Sequence, residues 1–244
     1  MIFDLDGTLV QTERLKALSY AKAVRELRPE VAEHQVIDAF RDFVGLSRQE
    51  VAAGLLARFD LGRVADGRRA SFGVTTGWQV LLQLRLGHYE ALVHADGVLL
   101  AHRWPHNLAL LERARQTCDK VGLATMSHCR EVRHVLGVLG LMDRFDFVAS
   151  RDDVEHGKPA PEIYLLVAAQ LGSLPAECLV IEDSVAGVRA ARAAGMPCIA
   201  VGTDYTRDAL HRAGVLEERW IVDDPAEIFR VVEDMMKDTN GAVT

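Results

Sequence analysis

A chain of 244 residues, 49% hydrophobic and 26% charged, is long enough to bury a sizeable core and has the balance of an ordinary globular protein. Its formal charge of -7 and pI near 5.7 exclude a broad basic face for nucleic acid, and no apolar run approaches the ~20 residues of a membrane helix. Cys118, Cys129, Cys178 and Cys198 form neither a CxxC pair nor a zinc spacing, so reduced thiols and a cytoplasmic location without a secretory segment are expected.

The first predicted element is a strand over Met1 to Leu5 that runs straight into Asp4, Leu5, Asp6, Gly7, Thr8 and Leu9. In an extended chain alternate side chains share a face, so Asp4 and Asp6 lean into one pocket, and Gly7 lets the backbone turn sharply behind them. One such acid can attack an electrophile while the other moves a proton, and a divalent cation would suppress their repulsion. The same six residues also suit a plain surface turn, so their meaning depends on what the rest of the chain adds. Only three residues precede Asp4, so the first strand is expected to be short or to begin upstream.

From Glu13 to Val93 the pattern is mainly helical. Ser47 and Glu50 form a capping box ahead of Val51, Leu55 and Phe59. Arg48 then falls at the first helical position, where the helix dipole disfavours a cation and a bound anion would reverse that penalty. Arg85, His88 and Tyr89 are expected on the surface of a helix end, and Trp78 and Trp104 in the core or a domain contact. His102 and His106 have Pro105 between them and do not read as a helical metal pair.

Beyond Val121, apolar runs alternate with helical patterns. The runs are Val121 to Ala124, Phe145 to Val148, Leu179 to Ile181, Cys198 to Val201 and Trp220 to Val222. Val132, Val135, Leu136 and Leu139 mark one intervening helix. Ile163, Leu166, Val167 and Leu171 mark the next, with Pro161 in its first turn and Gly172 at its end. A third opens at Ser184 and stops at Gly195, with Pro197 just beyond. Strands separated in this way pair in parallel through right-handed crossovers, which predicts a doubly wound α/β domain with ligands beyond the strands' carboxyl ends. The economical division is a core of residues 1–12 and 94–244 interrupted by a helical domain of residues 13–93, with Asp238 to Thr244 as a loose tail.

Each predicted strand end carries suitable chemistry. Thr125, Met126 and Ser127 offer hydroxyls and backbone amides ahead of a helix, a place that can hold phosphate. Lys158 offers a positive charge. Glu182 and Asp183 suit magnesium, which takes a few carboxylates with water and phosphate oxygen. Taken singly, Thr125 or Ser127 could cap a helix, Lys158 could be a solvated lysine, and the acids could cap the helix after Ser184. Their joint occurrence, each at a strand end, argues for a site. Gly157 and Lys158 do not form a P-loop, because Pro159 takes the place of its Ser or Thr.

As a set, FDLDGTL, ATMS, GKPAPEIY and VIEDSVAGVRAARAAGM resemble the signature of the haloacid dehalogenase-like superfamily. The resemblance implies a mostly parallel Rossmann-like core with an all-helical cap inserted after the first strand. It implies Asp4 as the nucleophile that becomes an aspartyl-phosphate, and Asp6 as the acid that protonates the leaving group and then activates the acceptor. Thr125 and the Met126 amide would bind the phosphoryl group, and Lys158 would neutralise it and fix Asp4. Mg2+ would be held by the Asp4 carboxylate, the Asp6 carbonyl, Asp183, and Glu182 directly or through water. Relatives that cleave halides or phosphonates lack the second aspartate, so Asp6 favours phosphate esters.

Val44, Gly45, Leu46, Ser47 and Arg48 are similar to the cap loop of beta-phosphoglucomutases, whose matching arginine holds the substrate's second phosphate; Arg48 and Lys16 are the substrate-binding candidates on the cap. Lys16 stands where those mutases carry a histidine, and Gln11 where they carry a further acid, which leans the reading towards hydrolysis. The expectation is therefore a magnesium-dependent phosphatase of a small phosphorylated metabolite, a sugar phosphate above all. It would act as a monomer or small homo-oligomer, without nucleic acid or membrane partners. The alternative is a beta-phosphoglucomutase-like mutase with the same phosphoaspartate chemistry; a catalytically silent binding protein is disfavoured because no core position is replaced.

Overall fold

Ile2 and Phe3 form strand β1 and are fully buried, as a central strand of a sheet covered on both faces requires. The computed structural model describes residues 1–44 and 46–241, with side chains as far as Asp238; Gly45 and the last three residues of the expected tail lie outside the described residues. By its internal contacts the chain forms two compact units, one of Met1–Gln11 with the chain from Leu99 onward, the other of Thr12–Val98.

The first unit holds β1, β2 (Gly122–Ala124), β3 (Phe147–Ala149), β4 (Val180–Glu182), β5 (Cys198–Val201) and β6 (Ile221–Val222) in one sheet of order β3-β2-β1-β4-β5-β6. Every pairing is parallel, with Ile2 beside both Gly122 and Val180, so the doubly wound α/β reading holds. All six strands lie on the predicted apolar runs. The third begins at Phe147 rather than Phe145, because the Asp146 side chain turns back to accept the Val121 amide and the Arg115 guanidinium. The fourth runs on through Glu182, which puts that carboxylate on the strand itself.

Ile2, Ala124, Val180 and Ala200 pack in one cluster with Ile163, Val167 and Val188 of the helices Glu162–Leu171 and Val185–Ala193. Strand alternation sends Phe3 to the other face. Pro161 precedes the first residue of its helix rather than lying in the first turn, and Gly172 ends that helix in a left-handed conformation. The first part of the expected tail differs from expectation: the helix Ile228–Gly241 continues past Asp238 as far as Gly241, and Ile228, Val231, Val232 and Met235 recur at helical spacing and are buried.

The second unit is built from the helices Thr12–Leu27, Glu33–Phe40, Arg48–Arg58, Gly62–Gly67, Arg69–Phe72 and Gly77–His94. Its capping box forms as predicted: the Ser47 amide donates to the Glu50 carboxylate at 2.9 Å and the Glu50 amide to the Ser47 hydroxyl at 3.3 Å.

Gly122 measures how closely sheet and helix approach, since a Cβ there would fall 2.5 Å from Val167 Cγ1 and 3.1 Å from Leu171 Cδ1. Gly122→Val is expected to cost about 1–3 kcal/mol, the usual penalty for overpacking a filled core. Urea denaturation reads this directly; an unmoved midpoint would mean that the helix shifts freely to admit the branch.

Candidate active site

Asp4 leaves the end of β1 with its amide donating to the Ile181 carbonyl, and is 5% exposed. The chain then turns through Gly7, at φ +84°, whose amide donates to the Val10 carbonyl at 2.7 Å. Glycine is required here twice over: for its conformation, and because a Cβ would lie 1.9 Å from Asp183 Oδ2. The missing side chain is what lets the turn after β1 rest against the acid that follows β4.

Asp6 accepts hydrogen bonds from the hydroxyls of Ser127 at 2.6 Å and Thr125 at 3.2 Å, and the Thr125 hydroxyl accepts the Ser127 amide at 3.1 Å. Met126 sits between them with its methyl against Gly157, where a Cβ would fall 2.5 Å from Met126 Cε. Lys158 Nζ donates to Asp4 Oδ1 at 2.7 Å, to Glu182 Oε1 at 2.6 Å and to the Ala124 carbonyl at 3.0 Å. Glu182 Oε1 also accepts the Tyr164 hydroxyl at 2.8 Å, while Oε2 accepts the amides of Asp183 and Ser184 and the Ser184 hydroxyl at 2.9–3.0 Å. The structure thus brings Asp4, Asp6, Thr125, Met126, Lys158, Glu182 and Asp183 together at the carboxyl ends of the strands.

Burial pushes the Asp4 carboxyl up to about 7; Lys158 opposes this, and the charges of Glu182 and Asp6 add to it. Burial would also raise Glu182, but the ammonium and hydrogen bonds of Lys158 hold it below the ordinary carboxylate range. Lys158 itself would be lowered by burial, and the two carboxylates outweigh that and raise it. It stays charged. The oxygens of Asp4, Glu182 and Asp183 lie within 4.8 Å of one another, and all three residues are buried. Three clustered buried acids, two of them paired with the single Lys158 ammonium, form a donor set made only of oxygen that fits a hard divalent cation such as Mg2+.

Three contributors escaped the sequence reading. Tyr164 lies on the buried face of its helix beside Ile163 and Val167, where a polar tip needs a partner; that was the available signal, and the partner is Glu182. Ser184 caps its helix through the Gly187 amide while also holding Glu182. Gly187 leaves room for that acid, since a Cβ there would lie 1.8 Å from Glu182 Oε1. In the helical unit, Lys16 pairs with Glu13 at 2.5 Å, and Arg48 is exposed at the first residue of its helix. Arg85 overturns the expectation of a surface residue: it is 5% exposed, with its guanidinium carbon 5.3 Å and 4.6 Å from the ring centres of Tyr20 and Tyr89. His88 pairs with Glu26 at 3.0 Å.

Because the folded Asp4 binds its proton more tightly than its ordinary value of 3.8, its contribution to stability is full below about pH 4 and is lost as pH rises through about 7. In chelator-treated protein at pH 8, Asp4→Asn is therefore expected to melt higher than the unaltered chain, by at least ~2 °C, the shift that about 1 kcal/mol gives at this size. The gap should close towards pH 5. Thermal unfolding at the two pH values checks it; a lower melting temperature for the variant at pH 8 would mean that the ion pair with Lys158 outweighs burial.

Residues 1–195 match the model of the haloacid dehalogenase-like hydrolases. The chain is 29% identical over 238 residues to the phosphorylated carbohydrates phosphatase of Thermotoga maritima, covering 97% of this chain and 99% of that protein. It is 31% identical over 204 residues to the fructose-1-phosphate phosphatase YqaB of Escherichia coli, covering 82% and 95%. Among solved structures, beta-phosphoglucomutase from Clostridium difficile has the same fold, with a TM-score of 0.67 at 23% identity over 99% of this chain and 97% of that one. The matched stretch contains every strand end from Asp4 to Asp183, and the chain belongs to the haloacid dehalogenase-like hydrolase family.

Proposed function

We propose that this hydrolase is a magnesium-dependent phosphatase that cleaves a small phosphorylated metabolite, a sugar phosphate, through an aspartyl-phosphate on Asp4. The observation that carries the reading is the contrast between the two aspartates. Asp4 is buried and clamped by the Lys158 ammonium, whereas Asp6 is held by the hydroxyls of Ser127 and Thr125. Different surroundings suit them to different roles.

Asp4 Oδ attacks the phosphorus of the ester and the bond to the leaving oxygen breaks, with Asp6 supplying that oxygen's proton. Water then attacks the same phosphorus, Asp6 takes its proton, and the acyl-phosphate bond breaks to give inorganic phosphate and free Asp4. The Thr125 hydroxyl and the Met126 amide bind phosphoryl oxygens, and Lys158 neutralises the charge gathering there. When bound, Mg2+ held by the Asp4 and Asp183 carboxylates and the Asp6 carbonyl, with Glu182 directly or through water, would supply further neutralisation and screen the acids from one another. The unit that contains the sheet serves as the catalytic core, and the helical unit as a cap that admits substrate and excludes water.

The names of the two phosphatase relatives support a carbohydrate phosphate as substrate. Arg48, exposed at its helix start, favours the second reading, a mutase that grips another phosphate there. Lys16 weighs against it, since it stands where those mutases carry histidine and is committed to Glu13.

Phosphate release from a panel of sugar phosphates is expected to need Mg2+, to cease with chelator, and to fall at least ~10³-fold in Asp4→Asn, as loss of a nucleophile does. Interconversion of glucose phosphates without phosphate release would establish the mutase instead. Silence in both assays would overturn the enzymatic reading of the site.

A further inference from the structure

The loop after β2 carries Thr125, Met126 and Ser127, and the loop after β3 holds it at alternate residues. The Thr125 amide donates to the Ala149 carbonyl and the Arg151 amide to the Ser127 carbonyl, both at 3.0 Å. Asp152 then takes over from the backbone. Its Oδ2 accepts the Cys129 amide at 2.8 Å, and its Oδ1 accepts from His128 Nδ1 at 2.6 Å. The helix Cys129–Leu139 starts here, and His128 at its cap position makes no capping hydrogen bond with its own side chain. The first amides of a helix have no partner within it, so a carboxylate from the neighbouring loop satisfies one of them in place of a local cap.

The loop after β3 is shaped to present that carboxylate. Ser150 is buried, with its amide and its hydroxyl donating to Asp153 Oδ2 at 2.8 and 2.7 Å, and its hydroxyl accepts the Asp152 amide at 3.3 Å. Asp153 is thus committed to its own turn, and Asp152 is the acid that faces the helix start. The hydrogen bond from His128, and then that from the Cys129 amide, hold the Asp152 carboxyl below the ordinary carboxylate range, so it remains an acceptor at neutral pH. The same short segment is gripped by Asp6, which accepts the Ser127 hydroxyl at 2.6 Å and the Thr125 hydroxyl at 3.2 Å. Asp6 and Asp152 together therefore hold residues 125–129, with the Met126 amide between their contacts.

We infer that Asp152 is a positioning residue for the phosphoryl-binding loop: it caps the helix after β2 from outside, and so fixes where Ser127 holds Asp6 and where the Met126 amide points. The inference rests on the phosphatase reading above and adds to it a residue that acts through the loop rather than on the phosphorus. By charge alone a carboxylate at this helix start would oppose an incoming phosphate. What Asp152 contributes is therefore its pair of acceptors.

The test compares the unaltered enzyme with Asp152→Ala, Asp152→Asn and, as a control, Asp146→Ala. Asp146 ties the opposite end of the same two strands, accepting the Val121 amide at 2.8 Å and the Arg115 guanidinium at 2.7 Å. Two esters are used: the sugar phosphate that the unaltered enzyme hydrolyses best, and p-nitrophenyl phosphate, whose leaving group departs with little need of a proton from Asp6. Asp152→Ala is expected to lower the ratio of sugar to aryl phosphate kcat/KM by about 10-fold, the size of one hydrogen bond to a charged group. Asp152→Asn should recover most of that ratio, because its side chain keeps an acceptor for the Cys129 amide without the charge. Asp146→Ala should melt lower and leave the ratio where it was.

The ratio separates this role from a purely structural one. An unchanged ratio in Asp152→Ala, an equal fall in Asp146→Ala, or an Asp152→Asn that behaves as Asp152→Ala would overturn the inference. Should Asp152→Ala not fold, Asp152→Glu keeps the charge and moves both oxygens by one methylene; the ratio is expected to fall in that variant too, and an unchanged ratio would refute the role. If no ester is turned over, the phosphatase reading falls by itself. Asp152 is then judged by the binding of inorganic phosphate in the presence of Mg2+, measured by calorimetry. Binding about 10-fold weaker in Asp152→Ala, with recovery in Asp152→Asn, supports the role; unchanged or tighter binding, or none by the unaltered protein, refutes it.

Discussion

The site depends on one ammonium group. Lys158 Nζ joins Asp4 at the end of β1, Glu182 on β4 and the Ala124 carbonyl at the end of β2, so three adjacent strands meet on a side chain from the loop after β3. Each N–H of the ammonium has an acceptor. Without that cation, two buried carboxylates would face each other across β1 and β4, and breaking one partner from a buried pair leaves the other charge uncompensated. The carboxylates in turn hold the lysine protonated, so cation and anions maintain each other's charge.

That arrangement needs close approach at two places where side chains would block it. Gly7 lets the first turn rest on Asp183, and Gly187 lets the helix after β4 begin directly beside Glu182. Glu182 then spends both oxygens on hydrogen bonds from Lys158, Tyr164, Ser184 and two backbone amides, which fixes its orientation. Short strands suffice because the sheet's task is to deliver residues to a common edge. Parallel pairing does this, since all six strands present their carboxyl ends on the same side.

The helical unit follows a different logic. Its capping box and its exposed ion pairs are local devices that stabilise helices by small amounts. Arg85 is the exception, a charge taken out of water with aromatic neighbours and without a carboxylate of its own.

The sequence by itself determined the six apolar runs that became strands, the parallel α/β class they imply, the Ser47 capping box, and the order in which Asp4, Thr125, Lys158, Glu182 and Asp183 arrive. These are legible because strand alternation, helix spacing and cap chemistry act between residues close in the chain. The helix through Gly241 was equally local, but the polar residues from Asp238 onward masked the buried spacing of Ile228, Val231, Val232 and Met235. Only the tertiary structure decided that Tyr164 holds Glu182, that Gly7 and Gly187 make room for particular carboxylates, and that Arg85 lies buried between Tyr20 and Tyr89 rather than in solvent. Those outcomes turn on which distant atoms fill the space around a side chain, and burial, clearance and the choice of hydrogen-bond partner are properties of that space.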